Sequence, residues 1–162
     1  MDGVTARTRA RGRTLKPFPQ SIPAILMRAR EAVMARVRPV LRAYDVTEPQ
    51  WRVLRTLSSV EEIEVTQLAD MVFLLPSSLS RILRDLGERG LISRRTSEED
   101  LRRGLVSISD RGLALIDAAT PETAQVNADI DRLFGTERMQ ALTTLLAELE
   151  QALGKGELSE GD

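Results

Sequence analysis

A chain of 162 residues fits one domain, or one small domain with the elements that pair it to a second copy. Its hydrophobic share of 42% supports a core, and an aromatic share of 3% leaves that core to Leu, Ile, Val, Ala and Met. With no Cys and no His, disulfides, thiolate redox sensing and Cys-ligated zinc are excluded, and no metal, cofactor or catalytic site is expected. The net charge of −1 conceals an asymmetry, since residues 1–20 sum to +4 and residues 117–162 to −7. Of the 23 basic residues only Lys16 and Lys155 are lysine. That bias suits forked contacts to phosphate or base edges, although a high-GC genome produces it as well. No apolar run approaches the roughly 18 residues of a spanning helix, so no membrane partner and a cytoplasmic location are expected.

In chain order, residues 1–19 form a polar, Arg-rich arm closed by Pro17 and Pro19, expected to be flexible. From Ser21 to Ala43 the pattern is helical, with Ser21 as N-cap and Pro23 in the first turn. Ile22, Leu26, Ala29, Val33, Val37, Val40 and Leu41 share a stripe at a spacing of about 3.6 residues. Ile25, Met27 and Met34 spill over onto other faces, as expected of a helix with more than one neighbour, such as a dimer seam. Thr47-Glu48-Pro49-Gln50 opens a second helix through Leu57. A short helix follows over 64–71, then another from Pro76 to Arg89, stopped by Gly90. Two strands, LISRR and LVSIS, enclose the charged tip EEDLRRG. Asp110 to Asp131 is read as a helix interrupted near Pro121, and Thr136 to Leu153 as a last helix on Met139, Leu142, Leu145, Leu146, Leu149 and Leu153. Residues 155–162 are an acidic, Gly-rich tail, expected to be disordered.

This order describes a mainly α chain with a small β-hairpin: a winged helix-turn-helix lobe over 46–108, flanked by dimerisation helices over 20–45 and 109–154. At about 100° per residue, the helix beginning at Pro76 hides Leu79, Ile82, Leu83 and Leu86. Ser77, Arg81, Arg84 and Glu88 lie opposite, flanked by Ser78 and Ser80. Small hydroxyls at the first turn with arginines behind them suit a helix in a DNA major groove, where arginine forks onto guanine and serine reaches phosphate or base. An ordinary solvated face has the same composition; the neighbouring short helix, tight connection and charged hairpin decide for the groove reader.

Three stretches carry a family resemblance. Val46 to Leu57 (VTEPQWRVLRTL) is similar to the second helix of MarR-family transcriptional regulators. LLPSSLSRILRDLGERGLISRR (74–95) resembles that family's recognition helix and first wing strand. Asp100-x-Arg102, VSIS and Asp110-x-Gly112 resemble its wing and the start of the next helix. The resemblance covers roughly residues 20–153. LMRAREAVMARVRPVL (26–41) with EPQWRVLRTL is most similar to the HpaR subgroup, regulators of homoprotocatechuate and related aromatic catabolism. Phe73 departs from the pattern, standing where many relatives have Gly, so that the turn differs or Phe73 faces a pocket.

The resemblance implies a homodimer on a pseudo-palindromic double-stranded DNA operator, usually a repressor released by a small ligand, here an aromatic carboxylate or phenolic effector. It places the wing in an adjacent minor groove, where Arg102 would insert with Asp100 steadying its guanidinium and Arg103 on a phosphate. An aromatic acid needs a cation and an apolar wall. Arg30, near the apolar stripe of the first helix, is the candidate cation, with Ser21, Arg28, Trp51 and Phe73 to complete the site. A structural ion pair for Arg30 and a core position for Trp51 are the simpler assignments. The competing function is a winged-helix scaffold without DNA binding, which has no need of both the Ser77/Arg81/Arg84 face and Arg102. No paired carboxylates frame an active site, so an enzyme is not expected.

Overall fold

The computed structural model of the chain describes residues 18–97, 100 and 103–154. Most of the Arg-rich arm, the wing residues Glu98, Glu99, Leu101 and Arg102, and the tail from Lys155 lie outside the described residues. The described residues divide into two compact units after Ala35, the division running through the first long helix.

In the first unit a 3-10 turn, Phe18–Gln20, leads into helix α1 (Ile22–Ala43). Ser21 acts as the expected cap: its Oγ accepts from the Ala24 N–H at 3.4 Å and donates to the Phe18 carbonyl at 2.7 Å. Ile22, Ile25, Leu26, Met27 and Val33 are all exposed.

The second unit continues α1 and adds α2 (Glu48–Leu57), β1 (Ile63–Glu64), α3 (Val65–Met71), α4 (Pro76–Glu88), β2 (Ile92–Thr96), β3 (Gly104–Ile108), α5 (Asp110–Phe134) and α6 (Thr136–Gly154). α2 begins with a capping box: Thr47 Oγ1 accepts from the Gln50 N–H, and Gln50 Oε1 accepts from the Thr47 N–H at 2.7 Å. The sheet is antiparallel in the order β1-β3-β2. Its first strand pairs only Ile63 with Val106 and Glu64 with Leu105. Ile63, Ile92 and Val106 point one way and join Val53, Leu54, Leu57, Leu68, Val72, Leu79, Leu83 and Leu86 in a single buried core. Nine of those side chains have no exposed area at all; of the apolar stripe expected on α4, Leu79, Leu83 and Leu86 are buried and Ile82 is half-buried against them.

Two features differ from expectation. A third strand, β1, adds to the hairpin. The second difference is α5, which runs unbroken through Pro121. Pro121 and Asp117, whose carbonyl loses its amide partner to the proline, are both exposed, so no buried group is orphaned. The hydroxyls of Thr120 and Thr123 donate to the carbonyls of Ile116 and Ala119 around the gap.

The hairpin is fixed to the helices at its base. Gly90, at φ 68°, turns the chain out of α4 in the left-handed conformation expected of a helix-ending glycine. Ser109 caps α5 by accepting from the Gly112 N–H, while its Oγ donates to the Gly90 carbonyl at 2.7 Å. Gly112 passes so close that an added Cβ would lie 2.2 Å from the Leu91 carbonyl oxygen, which accounts for the glycine of the Asp110-x-Gly112 motif. Among the described residues no helix is long and apolar enough to cross a membrane.

Candidate nucleic-acid interface

α4 starts without a side-chain cap: Leu75 occupies the cap position, Pro76 follows, and no acid sits in the first turn. The amides of that turn and the positive end of the helix macrodipole are left open toward an anion. Ser77, Ser78, Ser80, Arg81 and Arg84 are all exposed on this helix. Arg81 and Asp85 have the one-turn spacing of a helical ion pair. Asp85 is instead engaged by Gln50, whose Nε2 donates to Oδ2 at 2.6 Å, and lies 3.6 Å from Arg89. Neither Arg81 nor Arg84 has an ion pair among the described residues. A cleft of about 410 Å³, lined by Thr47, Pro49, Gln50, Ser78, Arg81, Ile82 and Asp85, separates the start of α2 from α4.

The wing carries a second basic set. Leu105 pairs with both Glu64 and Arg95, so those three side chains share one face of the sheet, the face opposite the core. There Arg95 forks onto Glu62, with Nε and Nη2 donating at 2.8 and 2.6 Å. Arg103 Nη1 donates to Glu64 Oε1 at 2.8 Å, and its Nε lies 3.4 Å from Asp100 Oδ2. Two of the hairpin's arginines are thus tied to acids of β1 and the residues before it. Arg94, across from Val106 on the opposite face, is exposed and has no ion pair among the described residues. Arg102 lies outside the described residues.

The residues assigned to a ligand are placed as follows. In the first unit, Ser21 is occupied by its capping bonds, Arg28 Nη1 donates to the Pro19 carbonyl at 2.7 Å, and Arg30 is exposed. In the second, Trp51 packs half-buried against the core while Phe73 is 82% exposed, so the two do not form one apolar wall. A separate cleft of about 510 Å³ is lined by Tyr44, Asp45, Glu88, Arg89, Leu91, Arg111 and Leu115. Beside it, Tyr44 Oη lies 2.6 Å from Glu122 Oε1 and 2.8 Å from the Ala118 carbonyl. That hydrogen bond, then burial and the carboxylate charge, raise the tyrosine pKa above its ordinary value.

Sequence reasoning missed Gln50, Glu62, Glu64 and Arg94. Gln50 was legible as the third residue of the capping box, whereas the two glutamates depend on a strand too short to leave a pattern.

Residues 46–103 match the MarR family. The homoprotocatechuate degradative operon repressor of Escherichia coli is 34% identical over 128 residues, covering 79% of this chain and 86% of that one. The crystal structure of NadR in complex with 4-hydroxyphenylacetate has a TM-score of 0.71 at 32% identity, over 85% of this chain and 97% of that one. The transcriptional repressor CouR, bound to a 23-mer DNA duplex, has a TM-score of 0.74 at 25% identity, over 80% and 92%. With its winged helix-turn-helix lobe, its uncapped basic α4 and these relatives, the chain belongs to the MarR family of transcriptional regulators.

Proposed function

We propose that this chain is a repressor that binds a pseudo-palindromic operator as a homodimer, reads bases with α4, and is released by a small aromatic carboxylate or phenol. The observation that carries this reading is the α4 face: serines at an uncapped helix start, followed by two arginines that no acid of the described residues neutralises. Ser77, Ser78, Ser80, Arg81 and Arg84 supply the major-groove contacts, and the wing, with Arg102, Arg103 and Asp100, supplies the minor-groove and phosphate contacts. Arg94, exposed and without an ion pair among the described residues, joins this set. Arg103 reaches phosphate only by leaving Glu64 or by sharing its guanidinium with it. The segments 20–45 and 109–154 dimerise, and the exposed Leu142, Leu145, Leu146, Leu149 and Leu153 on α6 support that assignment.

The effector class rests on the relatives, one a repressor of homoprotocatechuate degradation and one holding 4-hydroxyphenylacetate. Release requires a ligand that binds the DNA-free arrangement more tightly than the DNA-bound one. Arg30 is the proposed anchor cation. Calorimetry with 4-hydroxyphenylacetate and related aromatic acids tests it, with gel shifts in the same ligand series. At least one acid is expected to bind and to weaken the operator complex, and Arg30→Ala is expected to abolish both effects. If Arg30→Ala binds the acid as tightly as the parent, the anchor is wrong; if no acid releases DNA, so is the effector class.

A further inference from the structure

The turn between α3 and α4 determines where the reading helix begins. α3 ends at Met71 with Val72 as its C-cap, and two bonds close the turn: Phe73 N–H to the Asp70 carbonyl at 3.2 Å and Leu74 N–H to the Ala69 carbonyl at 3.1 Å. This is the Schellman arrangement, with Phe73 in the left-handed position that glycine usually fills. Such a conformation in an aromatic residue persists only where its surroundings over-determine it. A third bond does so here. Arg52 of α2 reaches across, and its Nη1 donates to the Val72 carbonyl at 2.6 Å. The carbonyl belongs to a fully buried residue, and the charge-assisted donor complements the negative end of α3.

Arg52 is itself held. Its Nη2 lies 3.4 Å from Glu48 Oε1, one helical turn earlier, and Glu48 Oε2 accepts from Arg38 Nη2 of α1 at 3.2 Å. Glu48 is 14% exposed and each arginine 33%, so this chain of charges is far better shielded from solvent than the wing pairs. Shielding matters, because fully exposed pairs contribute little. The fork geometry matters too: Arg52 serves the carboxylate with one terminal nitrogen and the carbonyl with the other, whereas an ammonium would have to reach both acceptors from a single nitrogen.

We propose that Glu48 and Arg52 are positioning residues for operator reading: the Arg38–Glu48–Arg52 chain fixes the Val72 carbonyl and thereby the turn from which α4 starts. Only residues 73–75 separate that carbonyl from Pro76, so a displaced turn displaces Ser77, Ser78 and Arg81 with it. The proposal rests on α4 being the reader. Neither residue is assigned to DNA, so their loss alters base reading and leaves the general attraction to phosphate in place.

Glu48→Gln, Arg52→Lys and Arg52→Met are compared with the parent on a selected operator and on a scrambled duplex, at several salt concentrations and below each variant's unfolding temperature. The expected result is a fall of about tenfold or more in operator affinity, the effect of a single mismatched base pair. Affinity for the scrambled duplex stays within about twofold, and the slope of log K against log salt is unchanged. Arg52→Lys does not rescue Arg52→Met. An unchanged ratio of operator to scrambled affinity overturns the proposal. So does equal weakening on both duplexes with a slope reduced by about 2, one phosphate for each protomer, because Arg52 then touches phosphate itself. Should the arginine variants fold poorly, Glu48→Gln decides alone, being nearly isosteric. A parent that prefers no duplex removes the reader on which the proposal stands, a failure visible before any variant is made.

Discussion

Phe73 holds a left-handed backbone, φ 51°, beneath a phenyl ring that is 82% exposed. An L-residue in that conformation costs roughly 1–2 kcal/mol, and so exposed a ring recovers little by packing. Phe73→Gly is therefore expected to stabilise the chain by about 1 kcal/mol, less what glycine loses to a freer unfolded state. A urea midpoint that fails to rise would mean that the ring is buried against something in solution. The replacement of glycine at this position was legible in the sequence; the conformation was not, because it depends on a helix closure that any residue can occupy at a price. The same limit separates the two arginine sets. Arg81 and Arg84 were assigned from 100° of rotation per residue, a local property. Arg95 and Arg103 find acids 33 and 39 positions away, and no local pattern announces such partners.

Helices were read almost residue by residue where their caps are chemical: Ser21 before α1, Thr47-Glu48-Pro49-Gln50 at the start of α2, Gly90 after α4. β1 escaped because two residues cannot display an alternation, and α5 was wrongly divided because a proline was taken to end a helix that only needs its freed carbonyl exposed. What joins these elements is equally specific. The approach of α5 to the base of the wing leaves no room for a side chain at Gly112. Gly112→Ala must push the Leu91 carbonyl away and is expected to destabilise by about 1–3 kcal/mol, the usual cost of overpacking. Thermal unfolding is the measurement, and an unchanged midpoint would show that the wing base yields freely.

The whole molecule presents more apolar surface than a lone chain keeps. α6 has no buried residue, and five leucines of its stripe are exposed alongside Leu133 and Phe134 at the end of α5. A dimer accounts for this surface and doubles the reading helix. Leu145→Glu combined with Leu149→Glu is expected to give a monomer by sedimentation and to lose operator binding, with the lobe core, which contains neither residue, left intact. A variant that sediments as a dimer would place the seam elsewhere.

The central claim is that two copies of α4 read one twofold-symmetric operator, and selection of binding sites from random duplexes tests it most directly. The parent is expected to enrich an inverted repeat with half-sites about 10 base pairs apart, or a multiple of that turn. Arg81→Ala should relax one position in each half-site, at about 1–3 kcal/mol. A selection that enriches nothing, or a logo that Arg81→Ala leaves unaltered, would contradict it.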